Sequence, residues 1–318
     1  MSDIRQLKVI AFPGAPNLPI FAAQQHGYFA EEGIEVDLTT TPSSVFQFEK
    51  LSAGDFDIAM TAFDNVVAYR EGQGAAELQG AADFHVLMGA TQIELAFVTA
   101  PDVNSYADLK GRSIALDALA TGFAFVLYEM LARGGLAPDD VEMVPVGATP
   151  DRWTSVKEGS HAGTLTIEPF TSIARSAGFK VLDLSTDLFA AYQGGVVTAS
   201  QTWAADNDDL VTAYLRGYLK GLAWSLDPEN RAAGAVLLLM RMPAIKPGVV
   251  DAVLDSLLSP RTGLTPKGEV LREGMQTVLD LRSKYGGGAQ LSDVERYLDL
   301  ACYERVVAGC KRPAYSSI

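Results

Sequence analysis

The stretch Gln25-His-Gly-Tyr-Phe-Ala-Glu-Glu-Gly-Ile-Glu-Val-Asp-Leu38 carries the chain from a helix into a strand. Gly27 and Gly33 are the residues at which helical segments end, since glycine is the usual residue just past a helix. Apolar and polar residues then alternate over Ile34–Thr39, which predicts a strand with one buried face. Because Leu7–Phe12 is an apolar strand candidate before it, the stretch completes a β-α-β unit.

The same alternation of strand and helix continues on both sides of this unit. Asp57–Met60 and Val86–Ala90 are predicted strands, and a second alternating unit begins near residue 93 with Leu95–Thr99. From Trp203 to Gly309 the pattern is almost wholly helical, and Ser292–Glu295 is typical of a capping box before the last helix. The rhythm predicts an α/β protein with parallel sheets and a helical C-terminal third.

Composition limits the functions that this chain can have. Its 318 residues suffice for two domains, and 48% of them are hydrophobic, which excludes intrinsic disorder. The net charge of −14 argues against a nucleic-acid-binding protein and against docking on anionic lipid. There is no apolar run of about 18 residues, so no transmembrane helix and no membrane insertion are expected.

The N-terminus and the cysteines bear on location. No basic segment followed by an apolar segment opens the chain, so no signal peptide is visible. We expect a periplasmic protein if such a peptide has been removed, and a cytoplasmic one otherwise. Cys302 and Cys310 are the only cysteines, and free thiols are favoured over a disulfide that would pin the tail.

Motifs for several catalytic and cofactor-binding sites are missing. The sequence has no P-loop, no dinucleotide fingerprint and no nucleophile elbow. His26, His85 and His161 stand alone, and no pair of histidines or cysteines has metal-ligand spacing. No metal and no cofactor are therefore expected.

Small polar residues follow the predicted strands instead. The carboxyl ends of parallel strands meet at one edge of a sheet, where ligands bind. An alternative reading is that Ser43, Asp64, Asn65 and Thr121 are only helix N-caps. The predicted ligand-binding set is Asn17, Thr41, Ser43, Ser44, Phe63, Asp64, Asn65, Thr91, Asp117, Thr121, Gly122, Thr166, Glu168 and Tyr192.

Five stretches in order resemble ABC-transporter solute-binding proteins of the nitrate/sulfonate/taurine and thiamine-precursor group. They are Gln25–Leu38, Leu51–Ala59, Tyr106–Ala115, Gly135–Glu142 and Thr166–Pro169. The resemblance as a whole covers nearly the whole chain. The resemblance implies a type II periplasmic-binding fold, in which two α/β lobes joined by two crossover hinge strands close on a ligand.

The resemblance also implies lobe boundaries. Residues 1–92 and 197–318 would form lobe one, and residues 93–196 would form lobe two. The sequence departs from the family at Gly159–Gly163, where an acidic residue is missing, and it lacks the cysteine cluster of the thiamine-pyrimidine synthases. The implied protein is a monomer that traps a small organic molecule, aromatic or zwitterionic, and delivers it to an ABC importer permease.

Two other functions fit the same fold. One is a cytoplasmic enzyme, lyase-like or decarboxylase-like, that acts on a small organic acid with Asp64, Glu168, Asp117 or His161 as acid and base. The other is a ligand sensor for a regulatory partner. Asp64 and Glu168 are expected to face each other across the cleft, and Phe12, Phe63, Trp153 and Tyr192 could pack a flat ring. No arginine lies at a predicted strand end, which argues against a strongly anionic ligand.

Overall fold

Two five-stranded sheets organise the protein, as seen in a computed structural model that describes residues 4–310 apart from the side chain of Cys310. The chain builds most of the first sheet, crosses to the second, and then returns to the first. The strands are β1 Arg5–Ala11, β2 Ile34–Thr40, β3 Ile58–Ala62, β4 Phe84–Thr91, β5 Ala96–Thr99, β6 Ser113–Leu116, β7 Glu142–Pro145, β8 Gly163–Thr166, β9 Lys180–Leu184 and β10 Gly195–Ser200.

Both sheets are mixed, with one strand in each running against the other four. The first sheet has the order β2-β1-β3-β10-β4, and β10 is antiparallel to both of its neighbours. The second has the order β7-β6-β8-β5-β9, with β5 antiparallel to β8 and β9. The expectation of purely parallel sheets is therefore wrong for β5 and β10. β5 and β10 are the first strands after the two crossovers. Each therefore begins at the carboxyl ends of the other strands in its sheet and runs in the opposite direction.

The two crossovers, residues 92–95 and 185–194, lie against each other. The backbone N–H of Gly194 donates to the Thr91 carbonyl at 3.2 Å, and the Gln193 side chain donates to the same carbonyl at 3.1 Å. Ile93 has a φ of 56°, a left-handed conformation that is unfavourable for a β-branched residue. The chain therefore passes between the sheets through a strained, closely packed pair of segments.

Helices cover both sheets, and the last third of the chain is helical as expected. The helices are α1 Leu18–Gln25, α2 Tyr28–Glu31, α3 Ser44–Ser52, α4 Phe63–Arg70, α5 Gly122–Arg133, α6 Thr149–Lys157, α7 Phe170–Ser176, α8 Gln201–Asp206, α9 Asp208–Leu226, α10 Arg231–Arg241, α11 Val250–Leu257, α12 Arg272–Tyr285 and α13 Ala301–Cys310.

The predicted capping box at Ser292–Glu295 does not begin the last α-helix. Asp293 instead accepts a hydrogen bond from the Glu295 N–H at 3.1 Å and begins a short 3-10 turn, Val294–Tyr297. The last helix starts later, at Ala301. A capped α-helix and a capped 3-10 turn begin with the same local hydrogen bond between side chain and backbone. The motif therefore predicts where a helical segment begins but not how long that segment is.

Helix α9 closes the first sheet and its core. Tyr214, Leu215 and Tyr218 of α9 are fully buried with the apolar residues of β1 and α1. At Gly221 a side chain would lie 2.1 Å from the Pro19 carbonyl of α1, so the absence of a Cβ lets the two helices approach.

No helix among residues 4–310 is long and apolar enough to cross a membrane. Cys302 is buried, and its thiol lies 3.0 Å from the Thr212 hydroxyl. The Cys310 side chain lies outside the described residues, so the prediction about its pairing stays a prediction.

Candidate functional site

A partly open cleft lies between the two sheets, at the carboxyl ends of their strands. One wall comes from the first sheet and the other from the second. The lining residues are Phe12, Gly14, Pro16, Asn17, Met60, Thr61, Ala62, Asn65, Ala90, Thr91, Ile93, Asp117, Thr121, Gly122, Phe123, Thr149, Arg152, Ile167, Gly195 and Val196.

Six of the predicted ligand residues line this cleft. They are Asn17, Asn65, Thr91, Asp117, Thr121 and Gly122. Much of their polar capacity is already used within the protein. Asn65 donates to the Thr61 hydroxyl at 2.9 Å, and the Thr91 hydroxyl accepts from the Gly195 N–H at 3.1 Å. These bonds fix the two side chains in place.

Arg152 supplies a positive charge that the sequence analysis did not anticipate. It lies in the first turn of α6 and is 2% exposed, although it lines the cleft. Its Nη2 donates to the Thr149 hydroxyl at 2.8 Å, while Nε and Nη1 have no hydrogen-bond partner among the described residues. Burial lowers the pKa of this guanidinium to about 10, and the Asp117 carboxylate partly offsets the effect. Arg152 therefore stays charged near neutral pH.

Asp117 ties the second sheet to the first. Its carboxylate follows β6 and accepts from the backbone N–H of Ser44, the first residue of α3, at 3.1 and 3.3 Å. The N-terminus of a helix favours a negative charge. Ser44 thus contributes through its backbone, and Asp117 forms part of a contact across the cleft.

Asp64 is not the open cleft carboxylate that we expected. It is 1% exposed and forms an ion pair with Arg282, with two contacts of 2.7 Å. The same carboxylate accepts from the Gly122 N–H at 2.6 Å. Because α12 brings Arg282 to α4, both carboxylate oxygens are occupied within the protein. Asp64 acts in packing and in holding the N-terminus of α5.

Glu168 does not face Asp64 across the main cleft either. It accepts from the Ser172 hydroxyl at 2.9 Å and lines a separate, smaller pocket together with Glu94. Burial raises its pKa to about 7, against the lowering effect of the Ser172 bonds.

His161 lies away from the cleft. Its Nδ1 is 2.9 Å from the hydroxyl of Ser113, the first residue of β6, whereas the cleft is at the other end of that strand.

The remaining predicted residues lie beside the cleft lining rather than in it. Thr41 donates to the Ser43 carbonyl at 2.7 Å, and Ser43 accepts from the Phe46 N–H as the N-cap of α3. Thr166 is 2.8 Å from the Thr171 hydroxyl. The N-cap alternative therefore describes Ser43 and also Thr121, which accepts from the Ala124 N–H as the N-cap of α5, but not Asp64 or Asn65. Thr166 is engaged within the second sheet.

Of the four aromatic candidates for ring packing, the structure brings Phe12 to the cleft. Phe63 packs against Tyr297, and Trp153 packs against Phe179 in the core of the second sheet. Tyr192 is buried in the second crossover, where its hydroxyl has no partner among the described residues and burial raises its pKa.

Sequence reasoning missed the segment after β7. Gly147-Ala-Thr-Pro150 follows that strand and begins α6, so it ends at the same sheet edge as Asp117. Including this strand end would have brought Thr149 into the candidate set. Arg152 would then have followed, because it lies one turn further along the same helix.

The described residues contain no group of three or more His, Cys, Asp or Glu side chains that could hold a metal ion. The chemistry that the cleft offers is therefore a largely apolar chamber with one buried guanidinium, one carboxylate and several amide and hydroxyl groups.

Known proteins resemble this chain over most of its length. A formylaminopyrimidine-binding protein of Halalkalibacterium halodurans is 20% identical over 238 residues, which cover 71% of this chain and 67% of that protein. The riboflavin-binding protein RibY of Chloroflexus aurantiacus is 27% identical over 237 residues, covering 71% of this chain and 64% of RibY.

A solved structure supports the fold. The periplasmic nitrate-binding protein NrtA from Synechocystis PCC 6803 superposes with a TM-score of 0.78 at 14% identity, covering 98% of this chain and 90% of NrtA. The sheet order and the two crossovers agree with the type II periplasmic-binding fold that the sequence resemblance implied. Residues 16–231, more than half of the chain, match the family model described as NMT1/THI5 like. The chain therefore belongs to the NMT1/THI5 like family.

Proposed function

We propose that this protein is a solute-binding protein that traps a small organic molecule between two lobes and hands it to an ABC importer. Lobe one is residues 1–92 with 197–318, and lobe two is residues 93–196. The observation that carries the proposal is the cleft between the two sheets, which is lined mainly by apolar side chains with a few polar groups, as ligand sites usually are.

Contacts between the proposed lobes support closure around a ligand. The Ala15 N–H donates to the Glu168 carbonyl at 3.1 Å, and the Ala148 N–H donates to the Pro42 carbonyl at 2.8 Å. With the Ser44–Asp117 contact, these bonds join the two proposed lobes and would break if the lobes moved apart. Closure by rotation about two crossovers is a common way to exclude water from a bound molecule.

The named relatives support the class of ligand. One relative binds a formylaminopyrimidine and another binds riboflavin, and both names describe molecules with a flat ring. Phe12 and Phe123 line the cleft from opposite sheets and could pack against such a ring. The periplasmic nitrate-binding structural neighbour supports a protein that works outside the cytoplasm.

The enzyme alternative has less support in the geometry. Asp64 is neutralised by Arg282, and Glu168 lies outside the main cleft lining. Asp117 is the one carboxylate in that lining, and it accepts a bond from the N-terminus of α3. An acid and base pair therefore does not form around the volume that a ligand would fill.

Native mass spectrometry of the purified protein tests the proposal. The protein is purified under mild conditions, and the molecule that leaves it on denaturation is identified by its mass. That molecule is then incubated with fresh protein and recovered. We expect one molecule per chain, returned unchanged. Recovery of an altered molecule with turnover would overturn the receptor and support the enzyme.

A further inference from the structure

Arg152 is a buried charge whose donors the protein does not use up. Two of its three guanidinium nitrogens, Nε and Nη1, have no partner within residues 4–310. Arg152 forms no ion pair with a carboxylate in that range. Burial of a charged group is unfavourable unless it is paired and hydrogen-bonded. The side chain is nonetheless held at the cleft wall, 2% exposed, by its bond to Thr149.

We propose that Arg152 and Thr149 form the binding subsite for a singly charged oxyanion on the ligand, a carboxylate or a sulfonate. This inference rests on the proposed function and adds the charge of the ligand to it. The Thr149 hydroxyl accepts from Arg152, so its own hydrogen is free to donate to the same anion. Hydrogen bonds between a guanidinium and an oxyanion are among the stronger ones in proteins.

The surroundings of Arg152 favour a ligand with one negative charge over a ligand with two. Asp117 lines the same cleft and contributes a negative charge that would repel a doubly charged phosphate ester. Within residues 4–310, Arg152 and Asp117 are the only charged residues that line the cleft, so a monoanion leaves the closed cleft with one net negative charge and a phosphate dianion leaves it with two.

The remainder of the lining suits an apolar body attached to that anion. Phe12, Met60, Ile93, Ile167 and Val196 line the cleft from the first sheet, the crossover and the second sheet. A molecule with an acidic group at one end and a ring or short alkyl chain at the other would satisfy both parts. The proposal therefore excludes small inorganic anions as the preferred ligand, since they would leave the apolar walls uncovered.

Matched probes distinguish this subsite from general binding. The thermal unfolding midpoint of the wild-type protein is measured with 3-phenylpropionate, benzenesulfonate, phenyl phosphate and the neutral 3-phenylpropionamide, each at millimolar concentration. We expect a rise with the carboxylate or the sulfonate, a smaller rise with the phosphate, and none with the amide. An equal rise with the amide, or no rise with any of the anions, would overturn the proposal.

Substitutions then test whether the rise in the unfolding midpoint depends on Arg152. In Arg152→Met the rise with the anions should disappear, and the affinity measured by calorimetry should fall by roughly 10- to 100-fold. Lys157→Met removes a positive charge from the exposed end of the same helix and should leave both unchanged. Unchanged anion affinity in Arg152→Met would contradict the subsite.

Two further results separate this subsite from misfolding and from the proposed function. Thr149→Val tests the subsite if Arg152→Met does not fold, and it should weaken anion binding without changing binding of neutral molecules. Equal binding of amide and anion would remove the subsite and leave the receptor function standing. Chemical conversion of a bound anion would remove the receptor function and leave the subsite standing.

Discussion

Asp64 and Arg282 form an ion pair that is almost completely buried, with side-chain exposures of 1% and 0%. They come from α4 and α12, 218 residues apart. Each also forms a hydrogen bond with the backbone at the start of α5. Asp64 accepts from the Gly122 N–H, and Arg282 donates to the Ala120 carbonyl at 3.0 Å. Burial lowers the pKa of Arg282, but the Asp64 carboxylate outweighs it and raises that pKa above its ordinary value. The pair thus joins the C-terminal helices to the second sheet.

Asp64→Asn should destabilise the protein strongly, because it leaves the Arg282 charge buried without its counter-ion. Removing one partner of a buried pair costs about 3–5 kcal/mol in the free energy of unfolding. Urea denaturation followed by circular dichroism measures it.

The matched control for Asp64→Asn is Glu295→Gln. Glu295 pairs with Arg272 on the surface, where the two side chains are 58% and 54% exposed. A change below about 1 kcal/mol is expected there. Equal losses in the free energy of unfolding for the two variants would mean that the buried ion pair matters no more to stability than the surface pair does.

Gly194→Ala should disturb the junction of the two crossovers. A Cβ at this position would lie 2.6 Å from both the Gln92 carbonyl oxygen and the Ile93 Cβ, closer than real contacts allow. The added methyl group must displace backbone, which typically costs about 1–3 kcal/mol in the free energy of unfolding.

Gly248→Ala is the control for this variant, since nothing lies within 4 Å of a Cβ at residue 248. Thermal unfolding of both variants measures the difference. A loss in Gly248→Ala as large as that in Gly194→Ala would argue against crowding at the crossovers.

Glu168→Gln should make stability depend less on pH. Burial raises the pKa of Glu168 from 4.5 to about 7, so the folded protein binds this proton more tightly than the unfolded chain does. The stability that this carboxyl contributes is therefore present below pH 4.5 and is lost as the pH rises to about 7. Because Gln resembles the protonated form, the variant should be near neutral in acid and stabilising above pH 7, by at most about 3 kcal/mol.

Urea denaturation across this pH range checks the prediction, with the exposed Glu158→Gln as its control. If the free energies of unfolding of wild type and Glu168→Gln differ by the same amount at every pH, the raised pKa of Glu168 is not the cause of the difference.

The strand and helix pattern was predictable because each element depends on local alternation. The predicted strands Ile34–Thr39 and Leu95–Thr99 agree with β2, Ile34–Thr40, and β5, Ala96–Thr99, to within one residue at each end. The directions of β5 and β10 were not predictable in this way, since they depend on where the chain crosses between sheets.

The candidate site was predictable only in part. Residues at strand ends, such as Asn17 and Asp117, do line the cleft. Asp64 lies at such an end too, but its ion pair with a residue 218 positions away leaves no local trace in the sequence. Arg152 was missed although its signal is local, because the helix that follows β7 was not considered as part of the cleft.

Binding in the cleft between the sheets is the central claim, and calorimetric titration of one variant tests it most directly. Ala62 lines the cleft, so Ala62→Trp fills it, whereas Ala132→Trp adds the same bulk to the exposed side of α5. The titrant is the molecule released from the purified protein. We predict one binding site per chain in the wild type and in Ala132→Trp, and at least a roughly tenfold weaker affinity in Ala62→Trp, because the indole occupies the ligand volume. Wild-type affinity in a folded Ala62→Trp protein would contradict the account.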